Sequence, residues 1–125
     1  MELKVLSAKN YNVKLKATIQ ATGKLGFTAV TAKEMKLTAE SGIKFAQDEK
    51  GQLYLINCAV CDDDSFRLYI SGDYYSLNTT VLFNNLGYDY RNRKIIFDLV
   101  PVPEEGENIY RMVQRDPSGK KKSEQ

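Results

Sequence analysis

A chain of 125 residues with 42% hydrophobic content, eight Tyr and five Phe carries enough apolar material for one ordered domain, which excludes a disordered chain. No apolar run approaches the roughly 20 residues of a membrane span, and the opening MELKVLSAKN lacks a signal-type apolar region, so a soluble cytoplasmic protein without membrane contact is expected. The net charge of +2 conceals an uneven distribution, with +5 on residues 1–46, −6 on residues 47–110 and +3 on residues 111–125; such asymmetry points to nucleic acid or a charged partner.

In chain order, the first strand candidate is Leu3 to Ser7. From Val13 to Ala21 every second residue is apolar (Val13, Leu15, Ala17, Ile19, Ala21), and Lys14, Lys16, Thr18 and Gln20 fill the other face. That is the period of a half-buried strand. A turn at Thr22-Gly23-Lys24 leads into Leu25 to Thr28, and Thr28 can cap a short helix from Ala29 to Leu37. On it Val30, Lys33, Glu34 and Leu37 share three-and-four spacing, with Met35 near the buried edge. A strand Ile43 to Gln47, a hairpin loop Asp48 to Gly51 and a strand Gln52 to Cys58 follow.

After the acidic turn Asp62 to Ser65 come strands Phe66 to Ser71 and Tyr74 to Leu77, with Tyr74 expected to point inward as Leu25 does. Asn78 would cap a helix Thr79 to Leu86 that ends at Gly87. A strand Lys94 to Val100 stops at Pro101 and Pro103. Ile109 to Arg115 reads as a short strand or a helical turn over a barrel end. Residues 1–115 thus form one domain, and residues 116–125, with no apolar side chain, form a disordered basic tail.

The chain also says one thing twice. Gly23 to Phe45 and Gly72 to Phe97 each run glycine, apolar strand, short helix closed by Leu, and apolar-x-Phe strand. Gly23 aligns with Gly72 and Leu37 with Leu86 at an offset of 49, Ile43 and Phe45 with Ile95 and Phe97 at 52. The internal repeat therefore covers about 23–47 and 72–99. The expected fold is mainly β, a β-rich α+β domain: a pseudo-symmetric barrel of two β-β-α-β units with two short helices.

In spacing, Gly23, Lys24, Leu25, Phe27, Met35, Leu37, Ile43 and Phe45 resemble the AbrB type of swapped-hairpin, cradle-loop barrel domain. Thr28 stands at that family's proline, Gly26 at a larger residue, Gly42 two residues late for the turn glycine, and Asp73 at the basic position of the second copy. The resemblance implies that two units close one barrel, here within a single chain, and that basic residues such as Lys24 contact DNA. Asp73 would repel phosphate.

The constellations for chemistry are few. Cys58-Ala59-Val60-Cys61 has the spacing of zinc and thiol-redox sites, but the chain has no other Cys and no His to complete a four-ligand zinc site. The acidic run after it disfavours a reactive thiolate; two buried-to-turn thiols, or zinc shared between two chains, are the readings left open. Asp62-Asp63-Asp64 lacks the alternation of a calcium loop. Without His, the common Ser/His and Cys/His nucleophile pairs cannot form. Tyr69, Tyr74, Tyr75, Tyr88 and Tyr90 beside Arg91 and Arg93 suit either a base-stacking platform or strand packing.

These readings lead to a non-enzymatic binding module with no cofactor, no metal and no catalytic residue, acting as a monomer or weak homodimer. The expected ligand is nucleic acid, DNA in particular, held by Lys14, Lys16, Lys24, Lys33, Lys36, Arg91 and Arg93, with Lys120 to Lys122 adding charge. The alternative is a protein-protein interaction or assembly module that does not bind nucleic acid.

Overall fold

The computed structural model describes residues 2–5, 15–106 and 108–115. Its elements are β1 (Leu15–Ile19), β2 (Leu25–Phe27), α1 (Ala29–Glu34), β3 (Gly42–Gln47), β4 (Leu53–Cys58), β5 (Phe66–Ser71), β6 (Tyr74–Leu77), α2 (Thr80–Leu86), β7 (Ile95–Pro101) and β8 (Ile109–Gln114). Residues 2–5 lie outside any strand, so the expected strand Leu3 to Ser7 is absent there, and its last two residues, like Val13, Lys14 and the tail 116–125, lie outside the described residues.

The strands close into one antiparallel barrel in the order β1-β2-β6-β5-β3-β4-β8-β7. Exchanging β1 with β5, β2 with β6, β3 with β7 and β4 with β8 maps this order onto itself, so the barrel has a pseudo-twofold axis between two β-β-α-β-β halves. Each half holds one strand more than the β-β-α-β unit read from the sequence: β4 in the first half and β8 in the second, where of the two readings offered, short strand or helical turn, the strand is found.

The ladder registers fix the true equivalences. Ala17 pairs with Phe97 as Phe66 pairs with Ile43, Ile19 with Leu25 as Leu68 with Leu77, and Ile43 with Asn57 as Phe97 with Gln114. Ile43 therefore corresponds to Phe97, two residues beyond the Ile95 suggested by sequence. Gly23 and Gly72 are not equivalent at all. The first hairpin holds Ala21 to Gly23 between Gln20 and Lys24, whereas the second turns on Gly72-Asp73 between the paired Ser71 and Tyr74.

Strand alternation fills the barrel. Ala17, Ile19, Leu25, Phe27, Ile43, Leu55, Leu68, Leu77, Ile95, Phe97, Leu99, Tyr110 and Met112 are buried, as period two requires of walls with one wet face. Tyr74 faces outward, correcting the expectation: Leu77 and Tyr75 pair with Leu25 and Phe27, so Tyr74 takes the opposite parity. It lies across Gly26, whose outer side has room for no side chain.

The helices plug the barrel unequally. Both follow a threonine, and Thr28 accepts a hydrogen bond from the Thr31 amide at 3.2 Å. α1 ends at Glu34 and buries Thr31, Ala32 and Met35 while Val30 is exposed, so the buried face is rotated from the Val30/Leu37 stripe read from sequence. In α2 the N-cap is Thr79, not Asn78. The buried residue equivalent to Ala32 is Phe83, which meets Phe45, Tyr88 and Phe97 at centroid distances of 6.0, 5.6 and 6.4 Å. The first two contacts are edge-on and the third is stacked; such aromatic pairs stabilise beyond area burial, and a large plug at one end with a small one at the other lets both fit one core.

Candidate nucleic-acid interface

Thr79 organises the end of the barrel that α2 covers. Its buried hydroxyl accepts from the Leu25 amide at 3.0 Å and donates to the Gly23 carbonyl at 2.9 Å, and the Thr80 hydroxyl donates to the Thr22 carbonyl at 2.8 Å. The first hairpin turn is thereby fastened to α2. Tyr90 is buried beside it, its hydroxyl donating to Asn84, and this anchors the loop after α2 against the same turn.

Between turn and loop lies an open groove of about 360 Å³ lined by Thr18 to Ala21 and Tyr90 to Lys94. Arg91, Arg93 and Lys94 are exposed on one wall, and among the described residues no carboxylate lines it. The Arg91 guanidinium sits 5.5 Å from the Tyr90 ring centroid, a geometry that orients the charge without neutralising it. Asn92 donates to Asp89 at 2.9 Å, tying the loop to itself.

The sequence-predicted cations divide among separate places. Arg91 and Arg93 share the groove, and Lys24, exposed, closes the adjoining turn. Lys16 is half-buried and faces Asp98 across the β1–β7 ladder. Asp98 also accepts from Arg115 at 2.9 Å. Lys33 and Lys36 line a different cleft, shared with Asp73. Lys14 is outside the described residues. The sequence reading missed Lys94, although the run Arg91-Asn92-Arg93-Lys94 contains it. The five tyrosines do not form one platform: Tyr90 is buried, Tyr88 and Tyr75 are partly buried, and Tyr69 and Tyr74 are exposed on the β5–β6 hairpin.

The remaining motifs are structural in their contacts. Cys58 and Cys61 are free, partly buried thiols; the Ser65 hydroxyl donates to the Cys61 sulfur at 3.3 Å. Asp62 opens a turn that accepts the Asp64 amide at 2.9 Å, and its carboxylate pairs with Lys44 at 3.0 Å. That Lys44 hydrogen bond, with the Asp64 amide, holds the Asp62 pKa below the usual carboxylate range. Among the described residues no group of three or more His, Cys, Asp or Glu side chains is placed to hold a metal ion, and no helix is long and apolar enough to cross a membrane. Comparisons with protein families, with curated proteins and with solved structures returned no match.

Proposed function

We propose that this protein is a non-enzymatic nucleic-acid-binding module, a single-chain counterpart of the swapped-hairpin barrels that its first repeat resembles, and that it binds the DNA backbone at the groove of Arg91, Arg93 and Lys94. The observation that carries the reading is the convergence of three exposed cations on one groove whose lining, among the described residues, has no carboxylate. Phosphates are recognised by such clusters through charge and donor geometry, with affinity that falls as salt rises. The pseudo-twofold strand order supports the kinship with barrels built from two units. Asp73 at the second cleft argues for one binding surface and not two. The free thiols accord with a cytoplasmic setting.

Fluorescence-anisotropy titration against labelled single- and double-stranded DNA at low and moderate salt tests the reading. Salt-sensitive binding is expected. Absence of binding at low salt would leave the protein-interaction alternative in its place.

A further inference from the structure

The two sides of β5 are paired unequally. On one side Leu68 to Ser71 ladder with β6; on the other only Phe66 and Arg67 meet β3. At the pseudo-symmetric seam β1 meets β7 from Leu15 to Ile19, and Ile19 is the counterpart of Leu68, so β5 runs on past the seam from Tyr69 to Ser71. Among the described residues, β5 beyond the buried Leu68 pairs with no strand on its β3 side and presents an open end from Tyr69 to Ser71.

Exposure follows from that gap. Ile70 has the inward parity of Leu68, yet it is 42% exposed where Leu68 is 4%, and Tyr69 beside it is 56% exposed. In a two-residue hairpin the closing pair, here Ser71 and Tyr74, exchanges its hydrogen bonds, so by alternation Ile70 directs its backbone N–H and C=O to the open side. Protein edges are ordinarily blunted by Lys, Pro or a bulge. Leu68-Tyr69-Ile70-Ser71 contains neither Lys nor Pro.

Among the described residues the molecule also carries a segment of strand character that pairs with no strand. Residues 2–5, Glu-Leu-Lys-Val, alternate polar and apolar, belong to no strand, and leave Leu3 83% and Val5 87% exposed. We propose that residues 2–5 of a second copy add to the open edge of β5 as an antiparallel strand, with Leu3 and Val5 covering Ile70 and with Glu2 and Lys4 toward solvent. Reciprocal exchange closes a twofold dimer with two added strands, the route by which identical chains pair without a new interface. This proposal is independent of the groove at Arg91.

The test is sedimentation equilibrium on the full chain over a concentration series, with hydrogen exchange on the Ile70 amide. The wild type is expected at twice the monomer mass, with that amide protected. L3D/V5D loses the donor and I70K loses the acceptor, so each runs as a monomer with a folded circular-dichroism spectrum. An equimolar mixture of the two, which retains one donor and one edge, restores a dimer fraction. A wild-type monomer at every concentration, or a dimer unaffected by L3D/V5D, would overturn the proposal whatever the fate of I70K.

Discussion

The Tyr74 hydroxyl occupies the space that a β-carbon on Gly26 would fill. The ring crosses from β6 over β2 and covers backbone that lies one residue from the buried Leu25 and Phe27. Because the obstructing atoms are the far end of an outward-facing side chain, the ring can swing away at modest cost. Gly26→Ala is expected to destabilise by about 1 kcal/mol, at the low end of overpacking penalties. In a double-mutant cycle by urea unfolding, Tyr74→Ala should remove most of that loss.

Thr28 and Thr79 are the N-cap residues of the two helices but act differently. Thr28 caps α1; Thr79 makes no side-chain cap bond and instead joins the Leu25 amide to the Gly23 carbonyl in the core. Thr79→Val keeps the shape and removes both buried hydrogen bonds, which should cost about 2–3 kcal/mol. Thr79→Ser retains the bonds and should lose less than half as much in the same denaturation experiment.

Lys36 and Gly87 close their helices in the left-handed region, at φ 59° and φ 84°. Glycine suits that conformation and lysine does not. Lys36→Gly should raise stability by about 0.5–1 kcal/mol and Gly87→Ala should lower it by about 1 kcal/mol. Thermal unfolding checks both. Lys36→Gly also removes a cation outside the Arg91 groove, so DNA affinity should stay within the error of the wild-type value.

Lys44 and Asp62 hold each other charged: the Asp62 hydrogen bond raises the lysine pKa, and the Lys44 hydrogen bond lowers the aspartate pKa. A depressed carboxylate contributes stability above its unfolded pKa, about 3.9, and that contribution disappears as pH falls through the folded value. Asp62→Asn should therefore melt below wild type at neutral pH, with the two curves converging in acid. A melting-temperature difference that stays constant down to the acid limit would show that the pair is not its source.

Local pattern carried much of this fold. Phe66–Ser71 and Tyr74–Leu77 have the boundaries that their alternation implied, and Thr28 caps the helix it was expected to cap. Long-range register was not legible, because it depends on turn lengths: three residues between Gln20 and Lys24, two between Ser71 and Tyr74. That difference displaced the Gly23–Gly72 alignment and inverted the expected direction of Tyr74. Which cations share one surface was not legible either, since a lysine count along the chain ignores where the barrel sends each residue. Lys33 and Lys36 meet Asp73 in one cleft, whereas Arg91 meets the first hairpin in another. Only the contiguous run from Arg91 to Lys94 was readable without the ladder.

The most direct measurement is the salt dependence of DNA affinity for the wild type, R91A/R93A/K94A and K33A/K36A. If three phosphates are neutralised at the groove, the log–log slope for duplex DNA includes a contribution on the order of −2.7. The account predicts that R91A/R93A/K94A loses that contribution and most of its low-salt affinity, while K33A/K36A keeps both. Equal losses in the two variants, or a slope unchanged in R91A/R93A/K94A, would contradict it.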